Sequence, residues 1–216
     1  CFYLSKQQLP GGPGGGHMHD DVLEQFVRDY IRSVTADEVV FSWQGGEPTL
    51  LGVEFFEKVV ALQKKHAKPG QRIENDLQTN GTLLDEDWAR FLRDHDFLVG
   101  LSIDGPREIH DHFRVTKHGE PTFDKVFAAA QVLRRHGVRF NTLTCVNRFN
   151  ASRPLDVYRF LRREVGSTYL QFIPIVEPRD FEAVAPHKWD PARLPVLGAP
   201  ESRPDHPQSV VTPWSV

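Results

Sequence analysis

EVVFSWQGGEP, residues 38–48, together with the helix behind it, decides the fold. Glu38–Trp43 is rich in β-branched and aromatic residues and reads as a strand. It runs into Gly45–Gly46 and then GVEFFEKVVALQKKHA (52–67), an amphipathic helix. The unit then repeats. Strands are expected at Arg72–Asn80, Phe97–Asp104, Arg139–Asn147 and Thr168–Ile175. Between them lie LDEDWARFLRDH, with Asp85 as its cap, TFDKVFAAAQVLRRHG, with Gly137 closing it, and SRPLDVYRFLRREVG, each a helix by spacing. Strict alternation of strand and helix predicts an α/β fold with parallel strands, either an open doubly wound sheet or part of a barrel. In both, ligands sit at the carboxyl ends of the strands.

Before the first strand, HDDVLEQFVRDYIRSV (19–34) has Val22, Leu23, Phe26, Val27, Tyr30 and Ile31 at helical spacing, and Asp20 or Asp21 can cap it. Phe26 and Tyr30 are read as core. The run PGGPGGG (10–16) is a surface loop, and the sequence beyond about Pro178 is a Pro-rich connector ending VVTPWSV.

The chain has 216 residues, 39% hydrophobic and 25% charged, enough for one good-sized core. Its formal net charge of −3 suggests neither a nucleic-acid nor a membrane partner. Two cysteines, Cys1 and Cys145, are too few for a secreted disulfide scaffold, so a reducing cytoplasm is expected.

Attention therefore falls on the strand ends. After the first strand, the glycines of WQGGEP let backbone N–H groups approach a ligand, and Glu47 sets a carboxylate beside them for an ammonium. Glu47 is expected to have little core to support. Taken alone, the loop is a tight turn. QTNG (78–81) is likewise a common turn signal. SIDGP (102–106) places Ser102 and Asp104 on alternate positions, able to point the same way, and Arg114 lies just beyond, able to pair with a ligand carboxylate.

In this order, at one end of successive parallel strands, these signals are strong. The strings CFY, WQGGEPTLLG, QTNGTLLD, GLSIDGPREIHDHFR and YLQFIPIVEP resemble the radical S-adenosylmethionine (SAM) superfamily, and more narrowly the anaerobic sulfatase-maturating enzymes. The resemblance implies a partial (β/α)6 radical SAM barrel of parallel strands, its first strand missing, over residues 1–178. It makes 179–216 a connector toward an absent C-terminal iron–sulfur domain.

That family holds a four-iron four-sulfur cluster on Cys-x3-Cys-x2-Cys, and in the maturase branch Phe-Tyr follows the third cysteine. Cys1-Phe2-Tyr3 matches that third position, which puts the other two cysteines upstream of residue 1 and makes the sequence a fragment. Thiolates are the usual ligands of such clusters. In the family SAM fills the open iron, and reduction cleaves it to a 5′-deoxyadenosyl radical; the protein supplies orientation and shielding. The resemblance further implies that Gly45, Gly46 and Glu47 meet the methionyl amino group, Ser102 the ribose or carboxylate, Arg114 the carboxylate and Leu170 the adenosine. Tyr3 and Gln44 stand near SAM and substrate as catalytic candidates. The implied activity is anaerobic oxidation of a sulfatase active-site Cys or Ser to Cα-formylglycine, with a sulfatase polypeptide as substrate and a ferredoxin or flavodoxin as electron donor. Two further clusters and a catalytic Asp fall outside this chain. The alternatives are a radical SAM enzyme acting on another peptide, and a non-catalytic α/β binding module.

Other candidates have plainer readings. Cys145 is a small buried thiol. His17 and His19 flank Met18 in a solvated loop. His110 and Asp111 fix local structure, and His112 is exposed.

Overall fold

The computed structural model describes residues 18–116 and 118–175. The first helix, α1 (Asp20–Ser33), leads to β1 (Glu38–Trp43), and a 3-10 turn (Pro48–Leu51) leads to α2 (Val53–His66). Then come β2 (Arg72–Thr79), α3 (Glu86–Asp94), β3 (Leu98–Ser102), α4 (Arg107–Phe113) and α5 (Phe123–Arg135). β4 (Phe140–Val146), α6 (Arg148–Ala151), α7 (Pro154–Arg159), a π-helical stretch (Phe160–Val165) and β5 (Leu170–Pro174) complete the order. The five strands form one sheet in sequence order, β1-β2-β3-β4-β5, every pair parallel. This is the expected α/β arrangement of a partial barrel.

Alternation along each strand divides the sheet into two faces. Leu77, Val99, Leu101 and Ile103 face the helices. They form the main core with Phe56, Trp88, Phe91, Leu92, Val126, Ala129, Ala130, Leu133, Phe160 and Leu161. A second cluster joins Leu23, Val27 and Ile31 of α1 to Val39, Phe41 and Val59. At roughly 25 cal/mol per Å² of apolar area removed from water, such side chains are the main drive for folding. The opposite face carries Ser42, Asp76, Gln78, Gly100, Ser102 and Leu143, a far more polar set.

Three local expectations are corrected. Phe26 and Tyr30 are not core: they are 42% and 37% exposed and line a groove with Val40 and Trp43 along β1, an edge strand among the described residues. Only every fourth position of α1, Leu23, Val27 and Ile31, is buried; Phe26 and Tyr30 meet the rim of the sheet, their rings edge-on to Phe41 and the Tyr30 hydroxyl donating to the Val40 carbonyl at 3.0 Å. The N-cap of α1 is His19, with no side-chain cap bond; Asp20 and Asp21 lie inside the first turn, where carboxylates favour the helix dipole. The stretch 152–166 is helical without a break from Pro154 to Val165, but it starts two residues later than expected and passes from α to π geometry at Phe160. Asn147 and Asn150 form a reciprocal capping box that starts α6, and Pro154 begins α7 afresh because it has no N–H to continue a helix. The REIHDHF segment, read only as coming after the third strand, is itself helical. Asp85 caps α3 as expected, accepting from the N–H groups of Asp87 and Trp88.

Candidate functional site

The ends of β1, β2 and β3 form the site. After β1, Gly45 and Gly46 take φ of 96° and 65°, a region in which L side chains are strained. A Cβ built on Gly45 meets nothing within 4 Å, so open space lies above it. Gln44, Gly45 and Gly46 are all exposed.

Glu47 behaves differently from its sequence reading. Its Oε1 accepts from the Thr49 backbone N–H at 3.1 Å, the Thr49 hydroxyl at 2.6 Å and the Thr79 hydroxyl at 2.7 Å. Its Oε2 accepts from the Asn80 backbone N–H at 2.7 Å. The carboxylate therefore ties the loop after β1 to the end of β2, a structural role the sequence did not reveal. A carboxylate offers about four lone-pair sites, so Oε2 keeps acceptor capacity for an ammonium.

At the end of β3, Ser102 and Asp104 share the face opposite the helix core, as expected from their spacing. Ser102 is 9% and Asp104 1% exposed. Asp104 takes Arg114 in a two-point grip: Nε to Oδ2 at 2.6 Å and Nη2 to Oδ1 at 3.0 Å. Its Oδ1 also accepts from the Cys145 backbone N–H at 2.9 Å. Arg114 Nη2 lies 3.5 Å from Cys145 Sγ. Desolvation opposes the charge on this buried guanidinium, but Asp104 outweighs it and raises the Arg114 pKa. The Cys145 thiol is half-buried, not fully buried as expected, and burial pushes its pKa up. It stays a neutral thiol, unlike a metal-binding thiolate.

His110, fully buried, stands behind this pair. Its Nδ1 accepts from the Asp104 backbone N–H at 3.4 Å, and its Nε2 lies 3.1 Å from Thr122 Oγ1. The Thr122 hydroxyl donates to the Arg114 carbonyl at 2.6 Å. Asp111 Oδ1 accepts from the N–H groups of Thr122 and Phe123, fixing the start of α5. His110 and Asp111 do therefore fix local structure. His112 is exposed and stacks on Phe149, ring centroids 4.1 Å apart.

Leu170 is not brought onto this face. It pairs in register with Thr142, which in turn pairs with the core residue Leu101, and its side chain packs against the helix-side core. Gln171 and Ile173 take the other face, with Leu143 and Cys145. A ligand on that face would meet Leu170 through its main chain. Cys1 and Tyr3 lie outside the described residues, as do His17 and the connector beyond Pro178. Among the described residues, no group of three or more His, Cys, Asp or Glu could hold a metal ion. The donor set at the strand ends, open glycine amides, a hydroxyl and an oriented guanidinium, fits the amino-acid end of SAM.

Residues 1–161 match the family described as the Radical SAM superfamily. The chain is 46% identical over 177 residues to a serine-type anaerobic sulfatase-maturating enzyme of Bacteroides thetaiotaomicron, covering 82% of this chain and 42% of that protein. It is 45% identical over 179 residues to a cysteine-type anaerobic sulfatase-maturating enzyme of Clostridium perfringens, covering 82% and 48%. The structure of native anSMEcpe with bound AdoMet and Cp18Cys peptide matches with a TM-score of 0.74 at 43% identity, covering 82% of this chain and 47% of that one. The chain spans about half the length of the curated relatives it matches.

Proposed function

This chain belongs to the radical SAM superfamily, and from that premise we propose that it is the core of an anaerobic sulfatase-maturating enzyme, oxidising an active-site Cys or Ser of a sulfatase to Cα-formylglycine. The observation that carries the reading is the meeting of Gly45–Gly46, Ser102 and the Asp104-held Arg114 at one end of a parallel sheet, on a chain about 45% identical to maturases of both the serine and cysteine types. Residues 1–178 are read as the radical SAM core and 179–216 as the connector to a further iron–sulfur domain.

In this reading Cys1 is one thiolate ligand of the four-iron four-sulfur cluster, with two more supplied upstream of it. When bound, the cluster and SAM supply the one-electron chemistry that removes a hydrogen atom from a peptide carbon. The chain's own residues orient the ligand. The carbonyls of Gly45 and Gly46, with Glu47 Oε2, accept from the methionyl ammonium. Ser102 meets the ribose or carboxylate, Arg114 meets the carboxylate, and the Leu170 main chain lies against the adenosine. Tyr3 and Gln44 stand where the substrate Cys or Ser arrives. The helix-side core closes one face of the sheet, so the reacting groups are confined to the other.

The substrate is read as a sulfatase polypeptide, and the electron donor as a ferredoxin or flavodoxin in the cytoplasm. No described helix is long and apolar enough to cross a membrane. The deciding experiment supplies the full-length protein, under strict anaerobiosis with a low-potential reductant, with a peptide bearing Cys-x-Pro-x-Arg or Ser-x-Pro-x-Arg. Mass spectrometry should find formylglycine at that Cys or Ser together with 5′-deoxyadenosine. An unmodified sulfatase peptide, alongside an unrelated peptide that is altered, would assign the enzyme to a different substrate.

A further inference from the structure

Arg114 is held by more groups than an arginine needs for burial alone. Asp104 grips its guanidinium at two points, 2.6 and 3.0 Å. Asp104 is itself fixed on every side. Its carboxylate accepts from the Cys145 N–H at 2.9 Å, its own N–H reaches His110 Nδ1 at 3.4 Å, and its carbonyl lies 3.5 Å from Asn150 Nδ2. From His110 the network runs through Thr122 Oγ1 at 3.1 Å to the Arg114 carbonyl at 2.6 Å. With the Asp104 N–H engaged at Nδ1, the imidazole carries its proton on Nε2 and donates it to Thr122, whose hydroxyl then donates onward. The relay thus ties the backbone at Asp104 to the backbone at Arg114, while the carboxylate ties down the side chain. Arg114 is only 17% exposed at the side chain and Asp104 1%.

We propose that Asp104, backed by the His110–Thr122 relay, is a positioning residue that aims Arg114 at the carboxylate of the bound amino-acid ligand. This rests on the proposed reading in which Arg114 meets that carboxylate. A long arginine side chain loses substantial rotamer freedom when it binds, and a fixed two-point partner removes that freedom beforehand. Asp104 also cancels the net charge of the pair. The ligand carboxylate therefore gains from an oriented donor more than from an unshielded cation, and this separates the proposal from simple charge attraction. Removing the Asp104 charge would strengthen attraction to a carboxylate if charge alone mattered, and weakens binding if orientation matters.

The test uses the full-length protein with its cluster reconstituted, and S-adenosylhomocysteine as probe, since it keeps the amino and carboxylate ends. Affinity is read by anaerobic equilibrium dialysis, with cluster content and circular dichroism checked for every variant. Asp104→Asn is expected to weaken binding about tenfold or more, and to add nothing in an Arg114→Gln background, because Asp104 acts only through Arg114. Unchanged or tighter binding in Asp104→Asn, or a loss that simply adds to that of Arg114→Gln, overturns the proposal while leaving the SAM reading intact. Unchanged binding in Arg114→Gln removes Arg114 from the ligand, and both readings fall. If Asp104→Asn does not fold, Thr122→Val takes its place. Loss of that hydroxyl should weaken binding about threefold in the native background and have no effect with Arg114→Gln; any other pattern counts against the relay.

Discussion

Glu47 and Asn80 lie 33 positions apart in sequence, yet the Glu47 carboxylate accepts the Asn80 backbone N–H at 2.7 Å. With the Thr49 and Thr79 contacts, this locks the glycine loop after β1 to the end of β2. The residue expected only to greet a ligand also holds the loop that presents Gly45 and Gly46.

Glu47→Gln should therefore destabilise the chain as well as weaken SAM binding. The amide can keep the Oε1 contacts, but it sets an N–H₂ against the Asn80 N–H, a donor facing a donor. Leaving a buried group unsatisfied costs about 1–3 kcal/mol, and this half-buried pair falls toward the lower end. Urea unfolding should show a lower midpoint with an unchanged slope; an unchanged midpoint would mean the clamp contributes nothing.

Asn75 is the hub of a buried polar trio. Its Oδ1 accepts from Trp43 Nε1 at 2.9 Å and Gln63 Nε2 at 2.8 Å, and its Nδ2 donates to Gln63 Oε1 at 2.9 Å. Asn75→Ala strands donors on both partners, and the expected loss is about 2–4 kcal/mol by denaturant unfolding. The Trp43 fluorescence maximum of the folded variant should also move. A loss well below 1 kcal/mol would show that water replaces the amide.

Gly81 cannot accept a methyl group. Its φ is 76°, and an added Cβ would lie 2.5 Å from Leu101 Cδ1 in the main core. Gly81→Ala should cost about 1–3 kcal/mol through strain and overpacking together. A melting temperature equal to that of the native chain would contradict this placement of the loop after β2.

His110 makes stability depend on pH in one direction. Burial, and next the positive charge of Arg114, push its pKa down from 6.5 to about 3. The unfolded chain takes up this proton near the ordinary value, and the folded chain only near 3. Its contribution is thus whole above the unfolded pKa and is lost as pH falls through the window between the two values. The slope approaches about 1.4 kcal/mol per pH unit. Urea unfolding of the native chain and of His110→Gln should converge by about 1 kcal/mol for each unit between roughly pH 6 and pH 4. A gap that stays constant over that range would place the imidazole in contact with water.

The fold was legible in the sequence because its signals are local. Alternation within Glu38–Trp43 or Phe97–Asp104, and helical spacing between them, arise from neighbours a few positions apart. The parallel sheet then comes from the repeat, and the strand-end rule leads to Gly45, Gly46, Ser102 and Arg114. α1 was the partial exception: six apolar residues share its spacing, but only Leu23, Val27 and Ile31 are buried. A single helix cannot say how wide a stripe its neighbours will cover.

The sequence by itself therefore determined the order of the strands and of the main helices between them, the end of the sheet at which the candidate ligand-binding groups gather, and the family. Tertiary structure alone decided which groups pair and which face each residue takes. TYLQFIPI is apolar on both alternate sets, so its period of two does not choose a side for Leu170. Only the register with Thr142 turns that side chain toward the helices, and a slip of one residue would reverse it. Likewise Asp104, His110, Arg114 and Thr122 are four ordinary polar residues along one stretch of chain. They become one network because the turn after β3 and the helix α4 fold back to bury them together, where each polar group must find a partner.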